Sequence, residues 1–461
     1  MHSDEAVNAS ITGDLLAGQS FHYDPRDRHG PLLQFFGMPI ARLCGAKTYS
    51  ELSETQLRLT PVLAGSATVL LFGAGVQMFG FVACFIAALF FVLAPLPVYY
   101  SRYFIHETLF IGATLCLMLF GWRAFKNASI LAAAMAGLSA ALMFACKETS
   151  VIHYFALAVA VAAGWRLNPH EKRPPVKIFV MAFGVFTVVG ILLFTWFGRN
   201  WEALADLGQA IPHLGARAGG EGHEKPFGYY FPLLDPTFLL FLLAIVGVCA
   251  AIRDSIAGTR KTGVLLAIYT LVVFLIYSAI PYKTPWLALN LWLPLALLCG
   301  IGIDAIWSFR KGLASRWVTV ITVGVLLAVL GKQTKTLAFD KPADEKNPLA
   351  YAHTVEDILR LPPRLEKLAN EEKLTQPLIA VAAADPWPLP WYLRKFQRVG
   401  FWQPGQDHGP ADFYITSPEE AEGLRDRLKD RRPEFFGVRP EVLVILWRPI
   451  EASPLSPSRH D

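Results

Sequence analysis

The sequence predicts a polytopic α-helical membrane protein with a small α/β domain at its C-terminal end. Mean hydropathy is +0.39, and 54% of the 461 residues are hydrophobic while only 17% are charged. That balance excludes an ordinary soluble domain. About ten apolar stretches of roughly 17–25 residues, the length that crosses a bilayer, follow one another between 59 and 332. From about 333 the composition turns to that of a soluble domain, with alternating short helix and strand patterns.

Three regions follow. Residues 1–58 form a polar first loop whose apolar runs, Leu32 to Phe36 and Met38 to Leu43, suit interfacial helices. Residues 59–332 form the transmembrane bundle, with spans near 59–76, 79–98, 108–122, 128–145, 150–165, 177–197, 232–252, 262–280, 286–308 and 316–332. Between the sixth and seventh spans, a glycine-rich outer loop from about 198 to 231 carries His223 and Lys225. A glycine-rich loop of that length inside a compact bundle is either functional or disordered. Residues 333–461 form the C-terminal domain, with short helices at Thr354–Leu361 and Pro418–Lys429 and strands at Leu378–Ala383 and Val442–Trp447.

Lysine and arginine set the orientation. Arg123, Lys126, Arg166, Lys172, Arg173, Lys177, Arg253, Arg260, Lys261, Arg310, Lys311 and Arg316 all fall in alternate loops, which are expected to face the cytoplasm. The first 58 residues and the C-terminal domain are then extracytoplasmic. These basic loops face anionic lipid and account for the net charge of +5, so nucleic acid is not an expected partner. The six cysteines lie mostly inside predicted helices and have no CxxC spacing, so neither a disulfide framework nor a zinc site is indicated. A polar outer segment at the very start implies a further helix upstream of Met1.

Polar residues gather at one membrane border, where an ionisable group is costly unless a site needs it. Asp4 and Glu5 are adjacent, so on a helix their side chains diverge by about 100° and one at most points at a given centre. Such a single carboxylate suits a general base for a hydroxyl acceptor, although a solvated surface pair is the commoner reading. Arg102, His106 and Glu107 follow directly after a hydrophobic span. Arg102 fits snorkelling to headgroups, and Glu107 at a helix start also gains from the helix dipole. Lys147 and Glu148 join two spans with almost no loop, and either pair with each other or leave Lys147 to a lipid phosphate. Lys283 is the only charge in the turn Tyr282-Lys283-Thr284-Pro285-Trp286. Trp387 and Trp391 sit in the proline-stiffened run Asp385 to Arg394 as aromatics for sugar stacking or for a local core.

Asp4-Glu5, Arg58-Leu59-Thr60-Pro61, Tyr99 to Glu107, Lys147-Glu148-Thr149 and Lys283-Thr284-Pro285-Trp286, in that order, resemble the GT-C superfamily of glycosyltransferases, which use polyprenyl-phosphate-linked sugars. More narrowly, Ser101 to Glu107, the Lys147 segment and the Asp385 to Arg394 segment resemble the flippase activity-associated family. That family is related to protein O-mannosyltransferases and to aminoarabinose transferases of lipid A. The resemblance implies a GT-C-like bundle in which Asp4, beside Glu5, is the catalytic base. Glu107 with His106 would be the second acidic position, and Lys147, Lys283 and Arg102 would hold the donor phosphate. Together with the residue reading, His223, Lys225, Trp387 and Trp391 form the expected substrate loop.

The implied reaction moves a sugar from a polyprenyl phosphate to an extracytoplasmic glycan, lipid or protein acceptor with inversion. Relatives differ in metal use, so no cofactor is assigned and a divalent cation stays open. A flippase or flippase accessory for lipid-linked sugars is the alternative: it needs the phosphate-holding cations but no base. A channel or secondary transporter fits less well, because the charges cluster at one border and not at mid-membrane depth.

Overall fold

The computed structural model describes residues 1–450 except 27, 168–172, 221, 236–237, 310–311, 404 and 407–408. Lys172, Arg310 and Lys311 of the predicted cytoplasmic loops lie outside the described residues. The chain divides into two compact units: Met1–Gly13, Ala46–Leu52 and Ala352–Asp461 form one, and Asp14–Gly45 and Ser53–Tyr351 form the other.

The larger unit is a multi-pass helical bundle. Among the described residues, eight helices are long and apolar enough to cross a membrane: Glu54–Ala74, Glu107–Asn127, Ser150–Leu167, Val176–Phe194, Leu239–Ile256, Thr262–Ala279, Pro285–Phe309 and Arg316–Asp340. Two predicted spans fall on shorter apolar helices, Phe81–Leu93 and Ile130–Cys146. The stretch predicted at 79–98 is cut at Ala94, whose extended backbone precedes Pro95 and starts a separate helix, Pro95–Tyr100. A residue before proline is driven out of the helical region, which places the break there.

Helix Pro285–Phe309 runs through the centre. Of its apolar window 94% is buried within the protein, against 11% for Val176–Phe194 at the periphery. Every residue from Leu289 to Ile303 is buried. Such depth needs close backbone approach, and glycine supplies it. A Cβ on Gly302 would collide with the Leu243 carbonyl oxygen, one on Gly247 with that of Leu298, and one on Gly300 with that of Ala83. Helices Leu239–Ile256 and Phe81–Leu93 thereby pack directly on the central helix.

Two loop expectations change. The region from about 198 to 231 contains a helix, Ala203–Ala218, with Pro212 inside it; its leucine and alanine spacing was masked by the glycines around it. The two apolar runs of the first loop merge into one helix, Leu32–Leu43, across Pro39. The segment after the last span stays with the bundle: Tyr99 Oη donates to the Pro342 carbonyl (2.7 Å) and Tyr100 Oη to that of Leu349 (2.8 Å).

The smaller unit holds a five-stranded sheet of order β2-β1-β3-β5-β4, with β1 Leu378–Ala382, β2 Arg398–Trp402, β3 Phe413–Thr416, β4 Arg431–Arg439 and β5 Val442–Pro449. β1 pairs parallel with β2 and β3, while β5 runs antiparallel to β3 and β4. Helix Leu361–Glu371 buries Leu361, Leu365 and Leu368, one face at helical spacing. The N-terminus belongs here: the Met1 ammonium donates to Tyr392 Oη (2.9 Å), and Thr354 Oγ1 donates to the Met1 carbonyl (2.6 Å).

Gly302→Val should lower the melting temperature of the detergent-solubilised protein by several degrees, since overpacking costs about 1–3 kcal/mol or more. Gly324→Val, where an added Cβ meets nothing within 4 Å, should leave it unchanged; thermal size-exclusion of both variants makes the comparison.

Candidate active site

In the larger unit the polar residues of one bundle border are joined by hydrogen bonds and an ion pair. Glu107 is the first residue of helix Glu107–Asn127, where the N-terminal dipole favours a carboxylate. Lys147 follows the last residue of helix Ile130–Cys146 in extended backbone. Cys146 Sγ, donating to the His106 carbonyl (3.2 Å), ties the two helix ends together. Lys147 Nζ then lies 2.5 Å from Glu107 Oε1, with both residues buried.

Of the two predicted readings of Lys147, the pairing with Glu148 gives way to one with Glu107. Extended backbone at Lys147 sends neighbouring side chains to opposite sides. Glu148 instead accepts from Tyr23 Oη (2.8 Å) and meets His29 Nδ1 (2.8 Å). Burial raises the Glu148 carboxyl, but the His29 charge and hydrogen bond outweigh it and bring the group down to about 2. Burial lowers the Lys147 ammonium, and the Glu107 charge more than restores it, so the net direction is up. His106, whose ring stands 5.2 Å from that of His29, is held well below the ordinary imidazole value by burial and then by the His29 and Lys147 charges.

Lys283 occupies a second position on this border. The turn carrying it pairs with the glycine-rich segment through an antiparallel bridge between Glu224 and Tyr282. The Lys225 N–H donates to the Pro281 carbonyl and the Lys283 N–H to that of His223, each at 3.1 Å. The predicted substrate-loop residues His223 and Lys225 are thus brought to Lys283. His223 is fixed in turn by Tyr351 Oη (2.6 Å), and Lys225 Nζ lies over the Tyr351 ring. The Lys283 ammonium donates to the carbonyls of Lys225 (3.1 Å) and Ile280 (2.5 Å). Among the described residues no carboxylate pairs with it, and burial lowers its pKa. Arg102 packs over the Phe339 ring at 4.3 Å; burial and then the neighbouring Arg58 charge lower its pKa.

Asp4 and Glu5 belong to the smaller unit. They diverge as adjacent helical residues must: Asp4 is exposed, while Glu5 is buried and accepts from the His2 N–H at 3.0 Å. Trp391 is also buried, under the Arg394 guanidinium 3.6 Å from its ring centroid, the arrangement of the local-core alternative. Trp387 lines a groove of ≈ 440 Å³ with Tyr49, Phe396 and Phe401. Among the described residues no three His, Cys, Asp or Glu side chains gather as a metal site. Sequence reasoning missed Tyr23 and His29, the partners of Glu148, and the buried set His153, Tyr269 and Tyr277, in which Tyr269 Oη lies 2.6 Å from His153 Nδ1 and Tyr277 Oη 3.1 Å from Nε2. A histidine inside an apolar helix was the available signal for the last set.

Removing one member of a buried pair leaves the other uncompensated. Glu107→Gln alone should cost about 3 kcal/mol, and the double variant Glu107→Gln/Lys147→Met should recover most of it; a double-mutant cycle on thermal unfolding measures both. A depressed carboxylate contributes stability that is present above its ordinary value of 4.5 and is lost as pH falls towards about 2. Glu148→Gln should therefore remove stability near neutral pH and flatten the acid limb between those values, as read by melting temperature against pH.

Residues 29–194 match the family model described as dolichyl-phosphate-mannose-protein mannosyltransferase. No curated protein matches the chain. ArnT from Cupriavidus metallidurans bound to undecaprenyl phosphate superposes with a TM-score of 0.65 at 14% identity, covering 99% of this chain and 95% of that one. The Archaeoglobus fulgidus oligosaccharyltransferase AglB, in complex with an inhibitory peptide and a dolichol-phosphate, gives 0.53 at 12% identity, covering 98% and 72%. With a helical bundle, a small five-stranded domain and these structural neighbours, the chain is a multi-pass membrane protein with the GT-C fold.

Proposed function

We propose that the protein is an integral membrane glycosyltransferase that moves a sugar from a polyprenyl-phosphate donor to an extracytoplasmic acceptor with inversion. The observation that carries this reading is Lys283, an ammonium at the bundle border whose contacts are carbonyl oxygens and not a carboxylate. A fixed cation that meets no counter-charge among the described residues favours an incoming phosphate. The undecaprenyl phosphate of ArnT and the dolichol-phosphate of AglB support a polyprenyl phosphate as that ligand.

In this reading Lys283 and Arg102 hold the donor phosphate. Lys147 contributes only as it shares its charge with Glu107. The acceptor hydroxyl oxygen attacks the anomeric carbon as Asp4 takes its proton, the bond from that carbon to the phosphate oxygen breaks, and polyprenyl phosphate leaves. The exposure of Asp4 supports its role as base, whereas buried Glu5 fits a positioning role. Glu107 and His106 shape the donor side. His223 and Lys225 support Lys283 through backbone pairing, and Trp387 is the aromatic left available to an acceptor.

The test supplies radiolabelled polyprenyl-phosphate sugar to membranes containing the protein. Asp4→Asn should lower transfer by at least about 100-fold while donor binding persists. Lys283→Ala should weaken donor binding about tenfold or more. Retained turnover in the Asp4 variant would overturn the assigned chemistry, and label that changes leaflet without leaving its carrier would support the flippase alternative.

A further inference from the structure

The bundle end opposite Lys283 carries a second polar feature. Asp304 lies near the far end of the central helix Pro285–Phe309, which starts two residues after Lys283, 19 residues or about 29 Å from the helix start at 1.5 Å per residue. There a cavity of ≈ 200 Å³ opens between the ends of helices Leu239–Ile256 and Pro285–Phe309 and the start of Thr262–Ala279. Its polar lining is Arg253, Asp254, Thr259, Arg260, Asp304 and Ser308. Arg253 is committed to Asp254 through Nε (2.9 Å) and Nη2 (2.7 Å). Arg260 spends Nη1 on the Phe79 carbonyl (2.7 Å) and stands 3.9 Å from Asp304 Oδ2, too far for a direct hydrogen bond. The side chains of Arg260 and Asp304 form this long ion pair while 41% and 30% exposed, so both stay within reach of a ligand.

We propose that this cleft binds the headgroup of one ethanolamine phospholipid, with its phosphate on Arg260 and its primary ammonium on Asp304. The place argues for lipid, because the ends of spanning helices lie at headgroup depth. The charge argues for a zwitterion: among the described lining residues two arginines and two aspartates sum to zero and match a phosphate next to an ammonium. An anionic headgroup would meet the same arginines but leave Asp304 facing a like charge. A choline headgroup has no N–H to donate to Asp304, and among the described residues the lining holds none of the aromatic faces that recognise a quaternary ammonium. Thr259 and Ser308 add hydroxyls that serve either end of the headgroup. None of this requires the transfer chemistry, so the site stands or falls independently of it.

The test takes the purified full chain in detergent doped with palmitoyl-oleoyl phosphatidylethanolamine, phosphatidylcholine or phosphatidylglycerol, and reads retained lipid by native mass spectrometry beside melting temperature. One phosphatidylethanolamine should be retained about tenfold more tightly than either other lipid, as one charge-assisted hydrogen bond is worth. Arg260→Gln and Asp304→Asn should each erase that preference. Equal retention of the three lipids, phosphatidylglycerol binding as tightly as phosphatidylethanolamine, or variants that keep the preference would overturn the proposal. The headgroup series on the unaltered protein decides the question even where a variant folds poorly.

Discussion

Taking a carboxylate and an ammonium out of water costs several kcal/mol for each ion, and that cost is repaid only by close opposite charge and satisfied hydrogen bonds. Glu107 and Lys147 meet the requirement at the rim of the bundle, 2.5 Å apart and both buried. Their pairing fixes where two helices meet, because each residue stands at a helix terminus and Cys146 bonds across the same junction. The geometry of that border depends on this pair. His106 is packed at the junction, and Glu148, turned the other way, recruits Tyr23 and His29 from the preceding loop.

One consequence is a division of labour among the cations. Lys147 is already neutralised, so its role is to hold the bundle border together as much as to meet a ligand. Lys283 is held by carbonyl oxygens on a turn stiffened by pairing with Glu224, His223 and Lys225. A cation fixed in this way needs no reorganisation when charge arrives, which is what stabilising a developing phosphate demands. Breaking the paired lysine should disturb folding first, and breaking the carbonyl-held one should disturb ligand binding first.

Much of the bundle was legible in the sequence because a bilayer imposes a length and a composition that few other environments do. Where the reading slipped, local signals conflicted with tertiary ones. Pro95 and Pro97 sit inside an apolar run whose hydropathy alone suggests a continuous span, and the glycines around Ala203–Ala218 hid a helix. In the small domain, β1 and β5 are plainly apolar, whereas β4 contains Pro433 and Gly437 and β3 is only four residues long. The site was legible as residue types at one border but not as partners. Nothing local tells Lys147 that its counter-ion lies 40 residues upstream, or Glu148 that Tyr23 and His29 await it. Trp391 could not be distinguished from Trp387 by sequence, since burial under Arg394 is decided by how the proline-rich turn packs.

The central claim is that Lys283 is the cation kept for the donor phosphate. Determining the structure with polyprenyl phosphate bound tests it most directly. The account predicts a phosphate oxygen within about 3 Å of Lys283 Nζ, with the Glu107–Lys147 pair still closed. Phosphate density seated elsewhere, with Lys283 still donating only to the carbonyls of Lys225 and Ile280, would contradict it.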